Sequence, residues 1–92
     1  MDAARIHPKQ MEQVLAQQAK DTLVLLNLDS GKYYALEEVG GRVWQLCDGT
    51  RSVSEIISTL CDEYDAPSDL VETDVMELIG DLIHEELLVE CN

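Results

Sequence analysis

The sequence predicts one small domain of mixed α+β class, in which strands come first and helices follow. Its 92 residues leave room for a single domain, and 46% of them are apolar, which suffices for a modest core. Residues 22–36 have the pattern of a β-hairpin, and three apolar stripes with helical spacing follow it. Strands grouped before helices favour α+β over a parallel α/β sheet.

The first twenty residues carry only weak patterns. Residues 1–9 contain Pro8 and little periodicity, so we expect a flexible arm in front of a domain that spans residues 10–90. In residues 10–20 the apolar side chains have helical spacing among Ala and Gln, which are good helix formers. The pattern alone therefore predicts a short helix there.

The hairpin is the clearest local signal. Residues 22–28 form a short apolar run that is typical of a buried strand. Residues 29–31 are Asp-Ser-Gly, a turn signal in which Gly31 can adopt positive φ. Residues 32–36 then predict a second strand.

In so small a sheet, the strand over residues 32–36 is expected at an edge. An edge strand offers unpaired N–H and C=O groups to another chain, and Tyr33 and Tyr34 add contact surface. Lys32 could discourage pairing between two copies. Alternatively, a loop or the N-terminal arm covers this edge, and the residues alone leave both possibilities open.

Three amphipathic helices complete the predicted fold. The first carries Val39, Val43, Leu46 and Cys47 in one stripe and ends at Asp48-Gly49. The capping box from Ser52 to Glu55 begins the second. Ser68 is a plausible cap for the third, over residues 69–87. Three compact helices beside a small sheet indicate a winged-helix layout.

The net charge of −13 excludes several partners. Nucleic acid and anionic membranes would be repelled, whereas a basic peptide or protein surface would be attracted. The third predicted helix carries much of this charge, on Asp69, Glu72, Asp74, Glu77, Asp81, Glu85 and Glu86. No apolar run reaches the ~20 residues of a membrane span, and no signal peptide is evident, so we expect a cytoplasmic protein.

Residues suited to catalysis or metal binding form no recognisable motif. Three cysteines without a close pair argue against a disulfide framework and a zinc site. We expect Cys47 and Cys61 to pack in the core and Cys91 to be exposed. His7 and His84 lie far apart. The sequence predicts no catalytic residue, no metal ligand and no cofactor site, and therefore a protein that is not an enzyme.

Several segments in order resemble the PqqD-like family, the recognition elements for ribosomally made, modified precursor peptides. They are Leu-Leu-Asn-Leu-Asp-Ser-Gly-Lys-Tyr-Tyr-Ala-Leu over residues 25–36, Val39-Gly40, Arg-Val-Trp-Gln-Leu over 42–46, and Cys-Asp-Gly-Thr-Arg-Ser-Val-Ser-Glu-Ile over 47–56. The stretch Tyr-Tyr-x-Leu-x-x-Val-Gly-x-Arg-Val-Trp-x-Leu, over residues 33–46, looks most like the stand-alone members of lasso-peptide clusters. The resemblance covers about residues 10–90.

This resemblance implies a winged helix-turn-helix fold with a three-stranded antiparallel sheet followed by three helices. It overrules the helix predicted for residues 10–20, which would become a strand around residues 13–18. It also implies that the leader of a precursor peptide adds as a strand in a cleft against the third helix. The implied peptide-binding residues are Lys32, Tyr33, Tyr34, Ala35, Leu36, Asp74, Val75, Glu77, Leu78, Asp81 and Leu82, of which the helical ones are chosen by helical spacing.

The implied partners are a precursor leader peptide and a maturation enzyme, such as a leader peptidase, a cyclase or a radical enzyme. A monomer is expected, although the edge strand could also support a dimer. Two alternatives remain. The chain could be a regulatory or chaperone subunit of a partner enzyme that binds no precursor, or it could be a winged-helix transcription factor, which its acidic third helix disfavours.

Overall fold

The computed structural model describes residues 4–91 and has a mixed α+β architecture. Five strands and three helices follow in chain order: β1 His7–Gln10, β2 Val14–Ala19, β3 Thr22–Asn27, β4 Tyr33–Leu36, α1 Glu38–Leu46, α2 Val53–Tyr64, α3 Ser68–His84 and β5 Leu88–Cys91. Strands β2, β3 and β4 form an antiparallel sheet in that order, and β1 pairs with β5. The predicted three-stranded sheet and three helices are confirmed.

The three-stranded sheet has β3 at its centre. Alternate residues of β3, such as Leu23 and Leu25, point into the core, and Val24 and Leu26 point to the other face. The predicted turn after β3 is present, with Gly31 at φ 75°. The buried Asn27 side chain stabilises this turn by accepting hydrogen bonds from two backbone N–H groups of the following residues.

Strand β1 corrects the prediction of a flexible arm over residues 1–9. His7–Gln10 pairs antiparallel with β5, and both Ile6 and Pro8 are buried. The first three residues of the predicted arm lie outside the described residues. The partner strand is about eighty residues away in sequence, so no local pattern could reveal the pairing, and burial of two apolar side chains stabilises it.

The helix predicted from pattern in residues 10–20 is wrong, because β2 occupies most of this segment. Strand β2 pairs with β3 along its whole length, from Val14 opposite Asn27 to Ala19 opposite Thr22. Its helix-favouring Ala and Gln residues are overridden by this pairing, since propensity is a weak determinant beside tertiary contacts. The strand agrees with the segment that the family resemblance implied.

The first two helices follow the predicted stripes except at Val39, which is 46% exposed. Helix α1 buries Val43, Trp44 and Leu46, and Cys47 is its C-cap. The capping box at the start of α2 is confirmed: Ser52 Oγ accepts from the backbone N–H of Glu55, whose carboxylate accepts from the backbone N–H of Ser52. Two otherwise unsatisfied backbone donors are thereby paired.

Helix α3 differs from its prediction at both ends. Pro67 is the N-cap and Ser68 is the first helical residue, without a side-chain capping bond. The helix ends at His84 and not at residue 87, because Glu86 adopts a left-handed conformation and the chain turns. This turn lets Leu87 and Leu88 enter the core at the start of β5.

The three cysteines are free, and Cys47 belongs to the hydrophobic core. Cys47 is fully buried, and this burial raises the pKa of its thiol to about 12, with Asp48 adding to the effect. Cys61 is half-buried. Cys91, which we expected to be exposed, is half-buried in β5.

No helix within residues 4–91 is long and apolar enough to cross a membrane. In the same part of the chain, no three His, Cys, Asp or Glu side chains lie close enough together to hold a metal ion.

Candidate functional site

Strand β4 is an edge of the three-stranded sheet, and one of its sides has no strand partner. The backbone N–H of Asn27 donates to the C=O of Lys32 at 3.0 Å, which identifies the residue pairs that exchange hydrogen bonds between β3 and β4. In this register Tyr34 and Leu36 direct their backbone groups to β3. Tyr33 and Ala35 direct theirs to the open side, where no residue among 4–91 pairs with them.

Helix α3 lies beside this open edge. The Tyr34 side chain is half-buried against the core, and burial raises the pKa of its phenol. The carboxylates of Asp81 and Glu85 raise this pKa further, which places both acids near the phenol. Tyr34 of β4 and the acids Asp81 and Glu85 at the end of α3 therefore face one another, and we call the region between β4 and α3 the cleft.

Gly40 in α1 allows the floor of this cleft to close tightly. A Cβ atom at Gly40 would lie 3.4 Å from the Cβ of Leu36 and 3.6 Å from Cδ2 of Leu78. Next to this contact is a cavity of about 190 Å³, lined by Val39, Gly40, Val43, Asp74, Val75 and Leu78. The cleft thus continues into an apolar hollow between α1 and α3.

The predicted site residues lie on β4, just before it or on α3, at three different depths of burial. Tyr34 and Leu78 are half-buried, whereas Leu36, Val75 and Leu82 are buried and shape the floor. Lys32 lies just before β4. The remaining predicted residues have exposed side chains: Lys32, Tyr33, Ala35, Asp74, Glu77 and Asp81.

Two residues of the cleft escaped the sequence prediction. Glu85 lies four residues after Asp81, so helical spacing could have added it to the same face. Gly40 could not have been found, since its role depends on a contact between β4, α1 and α3 that no local pattern contains.

Charge is distributed unevenly between two parts of the chain, which we call the strand half (residues 1–36) and the helical half (residues 37–92). The strand half has four acidic and four basic side chains, and the helical half has fifteen acidic and two basic ones. One of these two bases, Arg42, is paired with Glu63 at 2.8 Å. The α3 wall of the cleft therefore lies in a strongly negative field, while the β4 wall is close to neutral.

A cavity of about 420 Å³ lies near the β2–β3 turn and the start of α1. Side chains of both charge signs line it, among them Lys20, Asp21, Glu38 and Arg42.

Comparison with known proteins identifies the family. Residues 22–88 match the family described as Coenzyme PQQ synthesis protein D (PqqD). The chain belongs to this family. A PqqA binding protein from Xanthomonas campestris pv. campestris (strain B100) is 40% identical over 70 residues, which cover 76% of this chain and 74% of that protein. The resemblance drawn from the sequence is thereby confirmed.

Solved structures of PqqD-like proteins are similar over nearly the whole chain. One is TbiB1 in complex with the TbiA(beta) leader peptide, with a TM-score of 0.78 and 34% identity over 87% of this chain and 93% of that chain. Another is the PqqD truncation of Methylobacterium extorquens PqqCD, a stand-alone RiPP recognition element. Its TM-score is 0.78 at 23% identity, over 96% of this chain and 93% of that chain, which shows the shared fold.

Proposed function

We propose that this chain binds the leader segment of a ribosomally made precursor peptide and recruits that peptide to its maturation enzyme. The observation that carries the proposal is the free edge of β4, where Tyr33 and Ala35 present unpaired backbone groups beside α3. The PqqA-binding relative and the leader complex of TbiB1 support it. The leader adds as a fourth strand of the sheet.

Backbone hydrogen bonds and side-chain contacts both contribute to recognition of the leader. Each N–H and C=O of Tyr33 and Ala35 has a counterpart in an added strand, which supplies affinity without reading the sequence. Every second side chain of the leader then faces α3. There it meets Tyr34 and Leu78 above the buried floor of Leu36, Val75 and Leu82. These side chains select the leader.

The acidic wall of the cleft acts on the rate of association. Asp74, Glu77 and Asp81 have exposed side chains on α3, and Asp81 and Glu85 both act on the phenol of Tyr34. Such a field attracts a leader that carries Lys or Arg and accelerates its approach, with an effect that salt screens over about 8–10 Å. A rate of association that stays flat from low to high salt would contradict this part of the proposal.

We assign the fold to the winged helix-turn-helix class, used here for a peptide. Helices α2 and α3 are joined by a short turn and packed together beside the small antiparallel sheet, as this class requires. The acidic face of α3 disfavours the alternative of a transcription factor, since DNA phosphates would be repelled.

As a recruitment module the chain acts without catalytic residues or a cofactor of its own. Its partners are the leader and one maturation enzyme, such as a leader peptidase, a cyclase or a radical enzyme. Holding the precursor near that enzyme raises its local concentration into the millimolar range. We place this step in the cytoplasm, where ribosomes make the precursor, and we expect the chain to act as a monomer.

The decisive experiment is a titration of the cognate leader peptide into the protein, followed by backbone amide NMR. We expect shifts concentrated at residues 32–36 and 74–85, with a micromolar or tighter Kd, or about 8 kcal/mol of binding free energy. Shifts confined to the edge strand β2 would show that the leader binds there and not at β4. If no amide signal shifts at a saturating concentration of leader, precursor binding is contradicted.

A reconstituted reaction tests recruitment separately from binding. We expect the maturation enzyme to process the full precursor faster when this chain is present, and to gain nothing with a precursor that lacks its leader. An enzyme that is accelerated equally on both substrates would favour the alternative, a regulatory subunit that binds no precursor.

A further inference from the structure

The outer face of the three-stranded sheet, on the side away from the helices, is apolar and open. The register places Leu15 opposite Leu26, and Leu26 opposite Tyr33, so that three large side chains form a row across all three strands. At the two ends of this row Leu15 is 54% exposed and Tyr33 74% exposed. The leader cleft uses the backbone edge of β4 and the opposite face of the sheet, so the side chains of this row have no role in the proposed function.

This face is also concave and free of ionic charge. A cavity of about 380 Å³ is lined by Leu15, Gln17, Ala19, Val24, Leu26 and Tyr33, which we call the outer sheet face. None of these side chains is an acid or a base. In a molecule with a net charge of −13, such a surface favours an apolar and uncharged partner.

The size of the face argues against a stable dimer as its occupant. Three strands about 4.8 Å apart and at most about 20 Å long present roughly 300 Å². Stable protein–protein interfaces bury about 800 Å² on each partner, and two copies of this chain would also repel through their net charge. A larger partner that makes further contacts fits the observation better.

The position of the face relative to the cleft suggests which partner this is. Tyr33 and Ala35 alternate with Tyr34 and Leu36 along β4, so their side chains lie on the outer side of the sheet. A leader strand added to β4 would continue this alternation, and its outward side chains would extend the row beside Tyr33. A bound leader therefore widens the same face by one strand.

We propose that the outer sheet face is the surface on which the maturation enzyme docks, and that the leader strand completes it. The inference rests on the proposed function. The enzyme contributes an apolar patch without charge at its centre and contacts the neutral strand half, while the acidic α3 lies beyond the leader. Because the leader adds its own side chains to the surface, the enzyme binds the loaded chain more tightly than the empty one.

The test is the substitution Leu15→Glu, which puts a charge at the β2 end of the face and leaves β4 untouched. The probe is the purified enzyme whose reaction on the precursor is accelerated by this chain. We expect its affinity for the leader-loaded protein to fall at least tenfold, because an unpaired charge would be buried against an apolar partner. The leader Kd should stay within twofold of the wild type, and wild-type protein should bind the enzyme more tightly with leader than without.

Two further variants separate the causes of such a loss. Leu70→Glu makes the same change at a leucine of similar exposure, 63%, on the first turn of α3, and we expect enzyme affinity to stay unchanged. Leu15→Gln removes the apolar contact without adding charge, and we expect a smaller loss of about threefold to tenfold. Amide spectra establish that each variant is folded.

Three results would overturn the proposal. If Leu15→Glu leaves both enzyme binding and leader binding unchanged, the outer sheet face is not part of the interface with the enzyme. A wild-type dimer in sedimentation that Leu15→Glu dissociates would assign the face to a second copy. Failure of the wild type to bind the leader would remove the proposed function itself, and the leader titration distinguishes that outcome from the other two.

Discussion

The strand half and the helical half differ in how they carry charge and in what they offer a partner. In the strand half the acids and bases balance, and it presents backbone groups at one edge and apolar side chains on one face. The helical half carries the whole net charge of −13. The comparison teaches that one small domain can separate short-range recognition, which backbone and apolar contacts provide, from long-range attraction, which charge provides.

If the two halves divide short-range recognition and long-range attraction in this way, a substitution in the strand half should cause the largest loss of leader affinity. In Ala35→Pro a proline ring replaces an N–H that points to the open side of β4, so the sheet keeps its bonds to β3 while the leader loses one. A carbonyl group of the bound leader is then left without a hydrogen-bond donor. We expect a cost of about 2 kcal/mol, or roughly thirtyfold in Kd, in isothermal titration calorimetry.

The opposite edge of the sheet supplies a matched control. Ala16 lies in β2, where the backbone N–H of Leu28 donates to the C=O of Gln13, and by the same alternation its own N–H points away from β3. Ala16→Pro therefore makes the same change at an edge that does not adjoin the cleft. Equal losses in both variants would mean that the sheet as a whole, and not β4, supports binding.

Removing charge from the helical half should slow binding and leave most of the affinity in place. We expect Asp81→Asn combined with Glu85→Gln to lower the rate of association of a basic leader about threefold to tenfold at low salt, measured by stopped flow. The difference should vanish at high salt. Asp69→Asn with Glu72→Gln removes the same charge from another side of α3, so a similar loss there would point to net charge alone.

The stability of the helical half should be separable from its role in binding. Ser52→Ala removes the side chain that caps α2, and we expect the free energy of unfolding to fall by about 1 kcal/mol in urea. The exposed Ser58, in the middle of α2, is the control, since Ala is a better helix former there. Leader affinity should not change, and a change would show that the start of α2 reaches the cleft.

The smallest effect concerns Tyr34, where the two halves meet. Burial and the carboxylates of Asp81 and Glu85 all raise the pKa of its phenol. In the double variant Asp81→Asn/Glu85→Gln we expect this pKa to fall, yet to stay above its ordinary value because the burial remains. A pH titration of the Tyr34 ring signals by NMR measures both, and an unchanged pKa would contradict the proximity of the two acids.

The sequence by itself determined the elements whose signals are local. The hairpin over β3 and β4 follows from an apolar run, a turn with Gly31, and a second run. The start of α2 follows from the Ser52 capping box, and the apolar stripes of α1 and α2 named most of the residues that are buried, although Val39 is exposed. Each of these signals lies within one turn or a few residues, where backbone preferences and periodicity act.

The tertiary structure decided whatever depends on a distant partner. Strand β1 forms because β5 lies beside it, and β2 becomes a strand against its own propensity because β3 pairs with it. The cleft itself follows the same rule. Sequence pattern and family resemblance named Tyr34 and Asp81 separately, but only packing brings the phenol beside the carboxylates and Gly40 against Leu36. Such contacts join residues far apart in the chain, and their free energy comes from burial and pairing that no local window of sequence contains.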